Sequence, residues 1–451
     1  MIRAFPVQEG WTARVALIGG AFGAAAAAVI WASQTIAVKG LTGLAEIGVA
    51  MLAPLAAWLA WARPLIFPYG LYAIVAPFDV LMLVSKQDGT IARLVGLASA
   101  AALTFYIVRT REFRAPPRAI GWLAFLCGWM ALSTLWSAGD DPWKESLTLL
   151  QIAGLYLAVA CFPTRRQDMV PLLAMILLGG VIAAALGIYQ FHAAGATTND
   201  LQRLTVTVGH AQLDPNMYAD SLLLPFAIAL AWFARARRTL FAVGALGTMA
   251  ILVMAIALAG SRDATIGLGI ETLVLTTMLR AWKRVALPVT ALIACTLVLF
   301  PNAILRAIAD TGEGYGRTSI WHVGWAAFLQ HPMIGSGADS FAAVYDQVYL
   351  RIFERYDVGW HMASHDLIVH YGVELGLIGL VLVLGWGISQ WLLARALPRI
   401  GTMGDVRAIC LASLAALTFA AFFIDLFDVK FVWLLFGLIA QARNVSMGGK
   451  A

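Results

Sequence analysis

Four short polar motifs interrupt an otherwise apolar chain: Leu201-Gln202-Arg203-Leu204, Gly260-Ser261-Arg262-Asp263, Gly316-Arg317-Thr318-Ser319-Ile320-Trp321 and Ala363-Ser364-His365-Asp366. They contribute three guanidiniums and one imidazole. A guanidinium is a planar fork of donors that matches phosphate oxygens. An imidazole is the side chain best placed to take a proton near neutral pH. The set points to anion binding combined with proton transfer.

Each motif also has a plainer reading. Arg262 stands where Ser261 or Asp263 can cap a helix, and the helix N-terminus favours an anion. An interfacial arginine snorkelling to headgroups explains the same spacing. Arg317 opens a short helix that ends at His331-Pro332-Met333-Ile334-Gly335-Ser336-Gly337, where Pro and Gly turn the chain. His331 precedes a proline, which predicts extended backbone and a structural role. Arg203 lies upstream of Asp214-Pro215-Asn216, a turn signal ahead of a helix. His365 precedes an apolar run containing Glu374, about two and a half turns on. Glu46, Asp79, Glu271 and Glu374 fall inside apolar runs, where ionisable groups are costly and turn toward a bundle interior.

The elements that must position these groups are membrane helices. The chain has 451 residues, 61% hydrophobic and 12% charged, where a soluble domain carries about a quarter charged residues. Runs of roughly 17–25 apolar residues recur, each long enough to cross about 30 Å of hydrocarbon. They are expected near 15–38, 42–61, 64–84, 91–108, 119–136, 146–162, 169–191, 218–234, 239–260, 264–280, 285–301, 367–393, 408–424 and 430–442. Barrel strands would be shorter and alternating. The first run reads as a retained helix, not a signal peptide. Cys127, Cys161, Cys295 and Cys410 sit in or beside these runs with no CxxC pair, so they read as small buried hydrophobes. No cluster has metal-ligand spacing along the sequence, and no Walker loop, HExxH or GxSxG occurs.

The formal charge of +6 reports orientation here, not nucleic acid. With the N-terminus in the cytoplasm, the inside segments hold Arg3, Arg14, Arg63, Arg109, Arg111, Arg114, Arg118, Arg165, Arg166, Arg235, Arg237, Arg238, Arg280, Lys283, Arg284, Arg395, Arg399, Arg407, Arg443 and Lys450. Those are twenty of the 31 Lys and Arg. The acidic stretch Gly139 to Glu145 then lies outside, both termini lie in the cytoplasm, and Arg203, Arg262, Arg317 and His365 all face outward. The long segment from Pro301 to Asp366 carries Trp321, Trp325 and Phe328, then Phe341, Tyr345 and Val348, at helical spacing. That predicts amphipathic helices against the membrane or over a cavity.

Taken together, Ser261-Arg262, Arg317 with Trp321, His331-Pro332 with Gly335 and Gly337, and His365 followed by Gly372, Glu374, Leu375, Gly376 and Gly379 resemble the O-antigen ligase and O-antigen polymerase superfamily. These are bacterial membrane glycosyltransferases. The likeness covers residues 200–385 well and the rest as a multi-span scaffold. It implies an all-α polytopic bundle of about 12–14 transmembrane helices, GT-C-like, with a long periplasmic loop bearing short amphipathic helices. The expected divisions are 1–200 as scaffold, 201–300 with the arginine segments, 301–366 as the periplasmic loop and 367–451 as the C-terminal helices.

The resemblance also implies a reaction. A glycan passes from undecaprenyl pyrophosphate to an acceptor hydroxyl at the periplasmic face of the inner membrane, with inversion, no nucleotide sugar, no cofactor and no metal. Arg262 and Arg317, with Arg203, would bind the pyrophosphate. His365 matches the family histidine that acts as base on the acceptor. Asp366, Glu374 and Ser261 stand behind them as supports. The family usually has Asn after the histidine, and this chain has Asp366. The acceptor is lipid A-core for a ligase and a growing O-antigen or exopolysaccharide for a polymerase. Transfer to protein is a third outcome. A lipid or solute transporter is the reading from another class, and it expects midplane charges flanking broken helices.

Overall fold

Hydrocarbon offers backbone amides no partner, so long apolar runs fold as helices. The computed structural model describes residues 41–78, 83–85, 89–193, 203–208, 211–299, 311–352, 360 and 362–448. The expected span 15–38, Arg3, Arg14, Asp79 and Lys450 lie outside them, as do the side chain of Glu46 and parts of the segments after His192 and after Phe300. The chain divides into two units, Met1–Arg63 and Pro64–Ala451. In the first, α1 (Leu41–Ala62) is a 22-residue helix with Pro54 inside it.

In the second unit the described helices are α2 (Tyr69–Val75), α3 (Ile91–Thr110), α4 (Ile120–Ser133), α5 (Pro142–Cys161), α6 (Met169–Ala193), α7 (Pro215–Ser221), α8 (Leu223–Arg235) and α9 (Thr239–Ala259). They continue with α10 (Arg262–Leu279), α11 (Trp282–Leu299), α12 (Thr311–Phe328), α13 (Phe341–Ile352), α14 (Leu367–Ala396), α15 (Gly401–Ala420) and α16 (Lys430–Gly448). Two minimal antiparallel hairpins join them, Leu83–Ser85 with Gly89–Thr90 and Thr207–Val208 with Ala211–Gln212. The fold is an all-α polytopic membrane protein. Among the described residues six helices are long and apolar enough to cross a membrane.

Two expected spans are not single helices. The stretch 64–84 begins as a turn, gives only the seven-residue α2, tightens to a 3-10 turn at Ala76–Phe78 and ends in a hairpin strand. Pro64, Pro68 and Pro77 withhold the N–H groups that a continuous helix needs. The stretch 218–234 is split at Leu222 between α7 and α8.

Start signals explain most helices near the site. Asp141 accepts from Lys144 N at 3.3 Å, ahead of Pro142 at the first position of α5. Asp214 accepts from Asn216 N at 2.8 Å and Met217 N at 3.1 Å, ahead of Pro215. Ser261 accepts from Ala264 N at 3.4 Å, and Asp366 from Val369 N at 2.7 Å. Each satisfies an amide that a helix start leaves orphaned.

Packing follows the small residues and the aromatics. A Cβ on Gly179 of α6 would lie 2.7 Å from the carbonyl oxygen of Ile74, so the backbones meet closely there. Trp386 of α14 is fully buried, with its ring 4.9 Å from Tyr156 of α5 and 5.8 Å from Trp433 of α16. α10 and α15 run antiparallel. Gly267 lies over Ala416, and the buried Glu271 accepts from Ser413 Oγ at 2.6 Å. The Arg262 end of α10 therefore lies at the Ala420 end of α15. As expected, the segment after residue 310 holds two helices. Ile320, Val323, Phe341, Tyr345 and Val348 of α12 and α13 form a separate core with Val373 of α14.

Candidate functional site

The site is built around a break in α14. Gly376 has φ 66° and ψ −167°, outside helical space. Such a break frees carbonyls and amides that must find partners when buried, and here each named group does. The carbonyls of Val373 and Glu374 accept from Ser336 N and Gly337 N, both at 2.8 Å. The carbonyl of Leu375 accepts from Trp129 Nε1 at 3.0 Å. Beyond the break, Leu377 N and Ile378 N donate to the carbonyls of Pro332 and Met333 at 2.8 and 3.3 Å. The Pro332–Gly337 loop thus lies in the gap like a strand. Only glycine fits the crossing. Gly335 has φ 70°, and a Cβ there would sit 2.2 Å from the Glu374 carbonyl oxygen. The two glycine-bearing motifs of the sequence, around His331 and after His365, are one packed unit. His331 contributes its carbonyl, which accepts from Gly335 N at 2.9 Å.

The break also aims Glu374. Its Oε1 accepts from Phe341 N at the start of α13 at 3.1 Å. Its Oε2 lies 3.4 Å from His370 Nε2, which is also 3.5 Å from Asp425 Oδ2 in the loop between α15 and α16. The His370 ring stacks on Phe341 at 5.6 Å, and its Nδ1 faces Ser364 Oγ at 3.4 Å. Glu145, in the first turn of α5, closes the group. One ligand atom from each of Glu145, His370 and Glu374 lies within 4.8 Å of the others. His370, Glu145 and Asp425 were not singled out from sequence. The His370–Glu374 spacing of four residues on one helix was the available signal. Asp220 was missed as well. It is fully buried one turn past Asn216, and neither of its oxygens has a hydrogen-bond partner among the described residues.

His365 adjoins this group through Ser364, whose Oγ faces His370 Nδ1. Its φ of 48° is in the left-handed region, an uncommon and mildly strained backbone for a residue with a side chain. Its neighbours are pinned. Trp321 Nε1 donates to the Ser364 carbonyl at 3.1 Å, and Leu367 N donates to the Ala421 carbonyl at 3.0 Å. Asp366 is buried as the cap of α14, and that burial raises its carboxyl above the ordinary range despite the Val369 amide. Burial raises Asp425 too, opposed by His370.

The arginines arrive by separate routes. Arg203 donates through Nε to the Ala259 carbonyl at 2.8 Å and through Nη2 to Asn216 Oδ1 at 2.5 Å. It is therefore fixed against the Gly260 turn that leads into Ser261 and Arg262. Ser261 also donates to the carboxylate of the buried Asp263. Arg262 and Arg317 are both half-buried. Arg317 stands one turn before Trp321, whose indole meets the His365 loop. The α10–α15 register, together with the Leu367–Ala421 bond, brings the Arg262 turn to the same end of the bundle. The structure thus gathers all four expected segments at one end. Among the described residues, Glu271 sits away from them, paired within the α10–α15 interface.

No match to a curated protein was found. The O-antigen ligase family matches residues 247–384, from within α9 to within α14, which takes in Ser261, Arg262, Arg317, His331, His365 and Glu374. Over those residues the match supports the likeness to the O-antigen ligase and polymerase superfamily.

Proposed function

We propose that this protein is a membrane glycosyltransferase that moves a glycan from undecaprenyl pyrophosphate to an acceptor hydroxyl, acting as an O-antigen ligase onto lipid A-core at the periplasmic face of the inner membrane. The observation that carries the reading is the gathering of the Arg203, Arg262, Arg317 and His365 segments at one end of the bundle. It rests on the Arg203–Ala259, Trp321–Ser364 and Leu367–Ala421 bonds. The family match supports the reaction class.

In this reading Arg262 and Arg317 bind the pyrophosphate. Arg203 sets the Gly260 turn and adds its charge to the same field. As the acceptor hydroxyl oxygen bonds to the anomeric carbon, the bond from that carbon to the pyrophosphate oxygen breaks. The hydroxyl proton passes to His365, and the pyrophosphate leaves with the bonding electrons. Arginines placed where that negative charge develops favour the transition state over the ground state. Attack from the face opposite the leaving group inverts the anomeric centre.

The test is transfer by the purified full-length chain from a lipid-pyrophosphate glycan, with lipid A-core and a non-reducing-end repeat unit supplied as separate acceptors. Loss of a positioned base costs about 10²–10⁴-fold, and His365→Ala is expected in that range. Normal turnover by His365→Ala would overturn the mechanism. Product on the repeat unit alone would make the protein a polymerase.

A further inference from the structure

We propose that Glu145, His370 and Glu374 bind a divalent first-row transition cation that ties α5 to α14 beside the His365 loop. The proposal is independent of the glycan reading, and its test reads metal binding rather than transfer.

Geometry is the first reason. Charge-assisted N–H···O⁻ bonds run at about 2.7–2.9 Å. His370 Nε2 is 3.4 Å from Glu374 Oε2 and 3.5 Å from Asp425 Oδ2, too long for good bonds of that kind. Neighbouring ligands around a tetrahedral cation with bonds of about 2.0–2.2 Å are separated by about 3.3–3.6 Å. The His370–Glu374 distance fits that spacing, and one ligand atom of Glu145 lies within 4.8 Å of both residues' ligand atoms.

The second reason is how each carboxylate is held. Glu374 gives one oxygen to Phe341 N, and Asp425 gives one to Phe427 N at 3.2 Å. The other oxygen of each turns toward His370 Nε2. Glu374 is only 1% exposed, and among the described residues its Oε2 accepts no hydrogen bond. A buried carboxylate oxygen in that state needs a positive partner. Among the described residues, neither Glu145, Glu374 nor Asp425 has an arginine or lysine ion-pair partner.

The third reason is orientation. His370 Nδ1 faces Ser364 Oγ at 3.4 Å, which leaves Nε2 as the nitrogen turned toward Glu374. Glu145 and His370 are half-buried, which leaves a path from solvent. One nitrogen with carboxylate oxygens suits Zn²⁺, Co²⁺ or Mn²⁺.

The full-length chain, purified in detergent and stripped with EDTA, is dialysed against Co²⁺ alone and then Zn²⁺ alone, and bound metal is counted by mass spectrometry. About one cation per chain is expected, with visible Co²⁺ absorption. His370→Gln and Glu145→Gln are each expected to weaken binding at least about tenfold. Asp405→Asn removes a carboxylate that pairs with Arg235 instead, and should bind as wild type does. Equal binding by wild type and His370→Gln would overturn the proposal, as would an equal loss in Asp405→Asn. If His370→Gln does not purify as a single species, Glu145→Gln, a substitution in the half-buried first turn of α5, decides by the same criterion.

Discussion

Trp321 donates its indole N–H to the carbonyl oxygen of Ser364 at 3.1 Å. That one bond ties the helix carrying Arg317 to the loop carrying His365. Trp321→Phe keeps an aromatic body in the contact and deletes the donor. The missing bond should cost about 1 kcal/mol of stability. Release of Ser364 also frees the strained His365 backbone, so transfer should fall further than stability does. Thermal unfolding in detergent, run beside the transfer assay, separates the two. A variant that loses stability but transfers normally would show that His365 is positioned by other contacts.

The crossing of the Pro332–Gly337 loop through the break in α14 predicts a steric threshold. A Cβ at Gly376 would lie 2.5 Å from Gly335 N, on a residue whose φ is 66°. Gly376→Ala and Gly335→Ala must each push backbone apart in a close-packed region, at a cost of at least about 3 kcal/mol. Gly269, which has open space around its Cβ position, serves as the control. Gly269→Ala should leave the melting temperature unchanged or slightly raised, as expected for Gly→Ala inside a helix.

Much of this was legible in the sequence because hydropathy and helix-start residues act locally. The apolar runs gave α3, α4, α6, α9, α10 and α14 nearly as bounded, and Ser261 marked its helix start as expected. The failures have physical causes. The run 64–84 is apolar enough to span, but three prolines break its hydrogen bonding. Gly376 reads as one glycine in a helix, and nothing local reveals that a loop forty residues upstream lies in the gap it opens. Asp425 and Glu145 lie some 50 and 225 residues from His370 in sequence. Only the packing of α5, α14 and the α15–α16 loop makes them neighbours. Arg203 was legible as a cation, whereas its bonds to Ala259 and Asn216 were not.

Those bonds make a prediction about Arg203. A residue that fixes the Gly260 turn through two directional bonds should tolerate Lys poorly, because an ammonium cannot reproduce the fork. Arg203→Lys and Arg203→Ala should both lower stability by about 1–3 kcal/mol, and Arg203→Lys should rescue little transfer. Asn216→Ala removes one partner only and should fall between them and wild type. If Arg203→Lys transfers normally, charge at this position matters and geometry does not.

Asp366 supplies a pH test with a definite sign. Burial raises its carboxyl above the ordinary value of 3.8, so the folded protein holds that proton more tightly than the unfolded chain. The contribution to stability is present at pH below the unfolded value and is lost as pH rises through the folded one. Asn accepts a helix-start amide about as well as Asp does, so Asp366→Asn keeps the bond from Val369 N and removes the titration. The variant should therefore gain on wild type as pH rises from about 4 to 7, and Asp366→Ala should gain in parallel while staying about 1 kcal/mol below Asp366→Asn for want of a cap. Unfolding midpoints of the three proteins across that range check the slope. A constant difference between Asp366→Asn and wild type would mean that the carboxyl at the base of His365 titrates as it does in water.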